Sequence, residues 1–203
     1  MKIIDQSWAW VQKPVLPLHI LETAGRTCYK SESKITDDSA KKFIQMILAR
    51  GHESVIEHVS ASVRFITNRG VTHELVRHRL CAFSQESTRY VNYGGDDIEF
   101  IRPVWIENGY DEQGDAFNTF IDACLISEKN YNQLLSFGWR PEQAREVLPN
   151  SLKTEIVVTA NLREWRHIFK LRTSIAAHPQ IRELMTDCLN GFKSEIPVLF
   201  DDI

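Results

Sequence analysis

The sequence predicts an α/β (α+β) fold, a single domain with a central mixed sheet flanked by helices. Two kinds of segment carry that expectation. VSASVRFI (59–66) alternates Val59, Ala61, Val63 and Phe65 with their neighbours, the period of a strand with one buried face. TEIVVTA (154–160) is rich in β-branched residues and suits a central strand. Against these stand three longer stretches at the helical period, 114–137, 162–173 and 179–194. Strands and helices in mixed order build a sheet covered by helices. A chain of 203 residues can close around one sizeable core, and no repeat, low-complexity tract or long linker divides it, so one domain over 1–203 is expected.

The elements follow in order. Residues 17–29 read as a first helix. The stretch 37–51 is a second, with Phe43, Ile44, Ile47 and Leu48 on one face and Gly51 as its stop. Strand 59–66 leads into a helix at about 70–80, paced by Val71, Leu75, Val76 and Leu80. DIEFIRPVW (97–105) reads as a strand. The helix 114–137 runs through Phe117, Phe120, Ile121, Cys124, Leu125 and Leu134 and ends near Gly138. Pro141 opens a short helix that Pro149 ends. Strand 154–160 and two helices complete the chain.

Composition narrows the function. Hydrophobic content of 43%, charged content of 25% and a net charge of -3 are those of a soluble globular chain, with no broad basic face for a nucleic-acid polymer. No stretch has the apolar length of a membrane span. MKIIDQSWAW is too short in apolar residues, and carries Asp5, to be a secretory signal. Cys28, Cys81, Cys124 and Cys188 are scattered without a Cys-x-x-Cys pair, which points to reduced thiols in a cytoplasmic setting.

The run RHRLCAFSQESTRY (77–90) is the most informative stretch. It sets Arg77, His78, Arg79 and Arg89 among the hydroxyls of Ser84, Ser87, Thr88 and Tyr90. Guanidinium groups match phosphate and carboxylate oxygens two at a time, and hydroxyls add neutral donors. On a helix the tripeptide would fan over roughly 200°, so its members would serve two ligands or a helix shared between subunits. The plainer alternative is a solvated basic helix end.

Other residues carry chemistry of the same kind. Trp165, Ile168, Phe169 and Arg172 fall at i, i+3, i+4 and i+7, which places a guanidinium on an apolar stripe. Such a charge is costly unless partnered, and the choice lies between an anion clamp and a snorkelling side chain. Asn161 and Arg163 stand where a strand passes into a helix, a usual cofactor position, or else form a cap and a surface cation. Arg145, on a short helix, is equally readable as a salt-bridge partner. His52 and His58 are six apart, not the four of a zinc-binding helix, so no metal is expected. There is no Gly-x-Gly-x-x-Gly and no Gly-Lys-Ser/Thr loop, so a dinucleotide would be held by arginines and hydroxyls. Cys81, between Leu80 and Ala82, reads as packed and not as a nucleophile.

These motifs resemble one family. Arg77-His78-Arg79, seven residues, then Ser87 is the signature of the flavin-dependent thymidylate synthases. GHESVIEH (51–58), AREVLP (144–149), ANLREW (160–165) and LRTSIAAHPQIR (171–182) resemble that family's other site segments, in order, over about residues 20–195. The resemblance implies a flavin-dependent thymidylate synthase-like fold and conversion of dUMP to dTMP. It implies 5,10-methylenetetrahydrofolate as carbon donor, FAD as cofactor and NADPH as reductant. It assigns the flavin to Ser54, Arg77, His78, Arg79 and Gln85 and to Asn161, Arg163 and His167. It assigns the nucleotide to Glu74, Arg77, Gln85, Glu86 and Ser87, to Thr88, Arg89 and Arg145, and to Arg172, which favours negative charge on the pyrimidine ring and so is the catalytic residue. It further implies a homotetramer with sites between subunits. Ser84-Gln85 stands where other members have Asn-Glu, so a carboxylate role at 85 is excluded, and His167 stands where Asn is common. A nucleotide-binding regulator without turnover, and a metal-dependent phosphohydrolase using the histidines, are the alternatives from other classes. A flavin-coloured protein would oppose the second, and NADPH oxidation with dUMP would oppose the first.

Overall fold

The computed structural model describes residues 1–95, 97–106 and 114–203. Among the described residues, six strands lie in two sheets. Strands β1 (Lys2–Ile4) and β5 (Glu99–Ile101) pair in parallel, with Lys2 opposite Glu99 and Ile4 opposite Ile101. Strands β2 (Ser7–Gln12), β3 (Ser60–Asn68), β4 (Ala82–Gln85) and β6 (Lys153–Asn161) form a four-stranded sheet in the order β2-β3-β6-β4. The helices are α1 (Pro17–Tyr29), α2 (Ser39–Ala49), α3 (Arg69–Leu75), α4 (Asp115–Ser136), α5 (Pro141–Ala144), α6 (Leu162–Arg172), α7 (Pro179–Glu195) and α8 (Pro197–Phe200). The mixed α/β class agrees with expectation.

Local rules explain most boundaries. Gly51, at φ 69°, takes the left-handed position after α2, and its N–H donates to the Leu48 carbonyl. Asn68 and Asn161 cap α3 and α6 by accepting the N–H groups of Val71 and Glu164, each at 2.9 Å. Pro141, Pro179 and Pro197 each open a helix.

The contacts of the chain cluster into two compact units, each made of three chain segments. The first comprises Met1–Ser7, Phe65–Arg77 and Ser84–Ile156. Its core joins Ile98, Phe100, Cys124, Tyr131, Ala144 and Leu152. The second comprises Trp8–Arg64, His78–Phe83 and Val157–Ile203. Its core is aromatic: Trp165, Phe169, Phe192 and Phe200 are fully buried, with neighbouring ring centroids 5.0–5.9 Å apart, and Trp10 lies 4.5 Å from Phe192. Trp165 Nε1 donates to the Ala61 carbonyl at 3.1 Å, so α6 is tied to β3 by its largest core residue.

Two expectations are corrected. The helix expected over about 70–80 stops at Leu75. Val71 and Leu75 are buried, but Val76 and Leu80 are 37% and 77% exposed, so the apolar period that suggested a longer helix has no core to face beyond its second turn. Arg77, His78 and Arg79 therefore occupy a turn, and the fan of helical directions does not apply. Strand 97–105 shortens to Glu99–Ile101, with Pro103 just beyond. The short strands β1, β2 and β4, the 3₁₀ turns and helix α8 were not anticipated.

Candidate functional site

The expected site residues fall into two groups, one in each unit. In the second unit, His78 is turned inward while Arg79 beside it stays exposed; Arg77, also exposed, ends a segment of the first unit. His78 is 5% exposed, and its partners come from α6. Arg172 Nε donates to His78 Nε2 at 3.0 Å. Glu164 Oε1 lies 3.7 Å from His78 Nδ1. The His167 ring stands edge-on to His78 with centroids 5.7 Å apart. Burial, then the charges of Arg172 and His167, pull the His78 pKa down to about 4, so the imidazole is neutral at pH 7. Burial raises that of Glu164, against the influence of His167. Arg172 is partly buried at the end of the apolar stripe of Trp165, Ile168 and Phe169, as its spacing predicted.

A cleft of about 630 Å³ opens beside this group, lined by Leu80, Asn161, Arg163, His167 and Lys170 among others. Glu53 and Glu57 face Arg163 across it. Arg163 Nη1 donates to Glu57 Oε1 at 2.6 Å, and Glu53 Oε2 is 3.8 Å from Nε. These carboxylates raise the Arg163 pKa, Glu57 first. Ser54 is exposed in the 3₁₀ turn Glu53–His58. His52 Nδ1 meets the Tyr29 hydroxyl at 2.7 Å.

The second group belongs to the first unit. Gln85 Nε2 donates to Thr72 Oγ1 at 2.9 Å and Thr154 Oγ1 at 3.3 Å, which ties β4 to α3 and β6. Glu86 accepts from the Tyr93 hydroxyl at 2.7 Å, from Lys153 Nζ at 3.4 Å and from the Glu155 N–H at 3.2 Å. Burial, then Glu86, pushes the Tyr93 phenol well above its ordinary range. Ser87 Oγ accepts the Arg89 N–H, and the Arg89 guanidinium reaches Glu142 at 3.2 Å. Thr88 is buried, and its Oγ1 accepts from Arg145 Nη1 at 3.2 Å. Arg145 Nε lies 3.6 Å from Glu146. Thus Thr88 and Arg145, 57 residues apart, meet, with Arg89 tied to the same helical segment. Glu74 is half-buried at the end of α3.

Several participants escaped the sequence reading. Glu164 sits three residues after an Asn cap, where a Glu is ordinarily read as capping chemistry. Glu53 and Glu57 carry no sequence signal beyond their place in GHESVIEH. Cys81 is only half-buried, between an exposed Leu80 and an exposed Ala82, so the packing expected from those neighbours is not found; burial, then Glu164, still pushes its thiol up to about 12.

His78, Glu164 and His167 place ligand atoms within 4.8 Å of one another, the one such trio among the described residues. The donor chemistry fits a metal poorly. His78 Nε2 is occupied by a guanidinium N–H, and a divalent cation there would face the charge of Arg172. The trio is better read as a hydrogen-bonding and electrostatic group.

Fold and donor sets define a protein suited to anionic ligands of some size, with arginines in both groups. A family model described as "Thymidylate synthase complementing protein" matches residues 14–198. A flavin-dependent thymidylate synthase of Geobacter sulfurreducens is 34% identical over 186 residues, covering 88% of this chain and 78% of that protein. One from Mycobacterium tuberculosis is 36% identical over 202 residues, covering 90% and 78%. Among solved structures, a UMP/dUMP methylase PolB from Streptomyces cacaoi bound with 5-Br dUMP superposes with a TM-score of 0.84 at 22% identity, over 99% of this chain and 96% of that one. The chain belongs to the flavin-dependent thymidylate synthase family.

The residues present fit a flavin dinucleotide in their chemistry. Asn161, Arg163, His167 and Lys170 offer donors along one cleft, as an anionic, heteroatom-rich ligand requires. Arg163 is half exposed, and exposed ion pairs contribute only about 0–1 kcal/mol, so exchanging Glu57 for a phosphate oxygen costs little. Among the described residues, no helix is long and apolar enough to cross a membrane.

Proposed function

We propose that this chain catalyses the reductive methylation of dUMP to dTMP, with 5,10-methylenetetrahydrofolate as carbon donor and NADPH as reductant through bound FAD. The observation that carries the reading is 34–36% identity to flavin-dependent thymidylate synthases over about nine-tenths of the chain. The Arg172–His78 contact and the Thr88–Arg145 contact support it. When bound, the flavin supplies the hydride chemistry that no side chain here can. The protein's part is to bind, orient and polarise.

Arg89, Arg145, Ser87 and Thr88 take the nucleotide phosphate, whose nearly two negative charges suit two guanidiniums. Glu86, Gln85 and Glu74 shape that side of the site, though Gln85 and Glu86 are also held by internal partners. Arg172 faces the pyrimidine and stabilises negative charge developing on it. Arg163, Asn161, His167, His78, Arg79, Arg77 and Ser54 hold the flavin, with the Gln85 amide. The whole of 1–203 works as one domain, in a cytoplasmic homotetramer whose sites lie between subunits, with no metal.

The test is direct. Purified protein should be yellow, release FAD on denaturation, and form dTMP from dUMP, methylenetetrahydrofolate and NADPH. A colourless protein that binds no FAD, or one that binds nucleotide but never oxidises NADPH, would overturn the proposal.

A further inference from the structure

Glu164 belongs to none of the roles above, yet it is 8% exposed and faces the one buried histidine of the site. We infer that Glu164 is a positioning residue, whose carboxylate holds His78 in the tautomer with its proton on Nδ1 so that Nε2 can receive Arg172. The inference rests on the proposed function only for what Arg172 acts upon.

The argument begins with donors and acceptors. Arg172 Nε carries a hydrogen and cannot accept. At 3.0 Å it donates to His78 Nε2, which therefore bears a lone pair. A neutral imidazole has one N–H, so that proton is on Nδ1. The Glu164 carboxylate lies 3.7 Å from Nδ1. That separation is too long for a hydrogen bond, so the carboxylate acts through its field. With both side chains buried, little water screens it. An N–H dipole aimed at a carboxylate is favoured, and a lone pair aimed at it is not. The other tautomer would turn a lone pair toward Glu164 and set Nε2–H against Arg172 Nε–H. Both ends of the ring thus select the same proton position.

The backbone keeps this line straight. The N–H of Glu164 is fixed by the Asn161 cap at 2.9 Å, at the first turn of α6. Arg172 lies on the last turn of the same helix. One rigid helix therefore carries both the carboxylate and the guanidinium, and His78 bridges them. His167, from the same helix, packs edge-on and restricts ring rotation. The fixed Nε sets the plane of the guanidinium, which matters for a planar ligand ring.

The test reads the proton itself. In protein labelled with ¹⁵N-histidine, with the His78 signal assigned from His78→Gln, long-range ¹H–¹⁵N correlation at pH 7 should show Nδ1–H. Glu164→Gln keeps the side-chain size but has only a dipole in place of the charge, so it should loosen the preference for Nδ1–H, with a smaller fall in dTMP formation than Glu164→Ala. Glu164→Ala should shift His78 toward Nε2–H or a mixture. It should lower the dTMP rate roughly tenfold to a hundredfold, the usual effect of losing an outer partner that orients a functional imidazole. Flavin content and reduction by NADPH should fall less than dTMP formation does, although Glu164 lines the flavin cleft. An unaltered Nδ1–H signal in Glu164→Ala would overturn the inference. If Glu164→Ala does not fold, Nε2–H in the parent protein would overturn it alone. Failure of the proposed function would show instead as no dTMP from the parent, with the tautomer still readable.

Discussion

Acidification should destabilise this protein through His78 before most carboxylates titrate. The imidazole has an ordinary pKa of 6.5, and in the folded chain burial pulls it down to about 4. The folded value is depressed, so between those two pH values the unfolded chain binds a proton that the folded chain refuses. Stability is unaffected above 6.5, falls as pH drops below it, and levels off near 4. The slope is about 1.4 kcal/mol per pH unit, so the penalty is about 2 kcal/mol at pH 5 and about 3 kcal/mol at full development. Because His78 is 5% exposed, solvent screening does little to reduce it. The assay is urea denaturation of the parent and His78→Gln at pH 7.5, 6.5, 5.5 and 5, at one fixed flavin concentration. Other titrations cancel in the difference, so the stability lead of the parent should shrink by about 2 kcal/mol between pH 7.5 and 5. An equal lead at both pH values would refute the reasoning, since it would mean that His78 accepts a proton in place.

Three further outcomes are expected. Arg172→Lys keeps the charge but has no Nε–H for His78, so it should be severely impaired, and Arg172→Ala should lose about a hundredfold to a thousandfold in dTMP formation; retained FAD with normal flavin reduction distinguishes this from a binding defect. Arg163→Ala should weaken FAD retention, measured by equilibrium dialysis, whereas Glu57→Gln should release Arg163 and leave FAD bound as tightly or more so, with stability changed by less than about 1 kcal/mol. Gly191→Ala should lower the thermal midpoint, because a Cβ there would collide with the Trp8 ring, which Asp187 holds at 2.9 Å through Nε1; overpacking of this kind costs about 1–3 kcal/mol.

The long periodic elements were legible because packing obeys their period. Trp165, Ile168 and Phe169 are fully buried at the spacing that marked them as a stripe, and β6 alternates buried and half-buried side chains along its whole length. Elements shorter than one clear period were not legible. β4 is four residues long, and its inward positions are Phe83 and Gln85, one of them polar, so no apolar alternation announces it. β2 does carry a signal, since Trp8 and Trp10 alternate with Ser7, Ala9 and Val11, but only the two tryptophans are half-buried, too short a run to mark a strand. The helix over-extended past Leu75 shows the converse error. Val76 and Leu80 kept an apolar rhythm while the chain had already turned away, because an exposed hydrophobic residue reads the same as a buried one.

That turn changes how the tripeptide works. On a helix Arg77, His78 and Arg79 would differ by 100° steps, and none would be singled out. In the turn, the residue without a fixed charge goes inward and the two that cannot lose theirs stay in solvent. The arrangement follows from desolvation: an arginine cannot become neutral to escape its burial cost, whereas a histidine can. Held neutral, His78 brings no second charge up to Arg172, and it offers the lone pair that anchors that guanidinium. The outward arginines remain open to anionic groups arriving from solvent. Arg77 and Arg79 thus differ from His78 in kind: removing either should alter ligand capture alone, while removing His78 should also disturb the setting of Arg172 on α6.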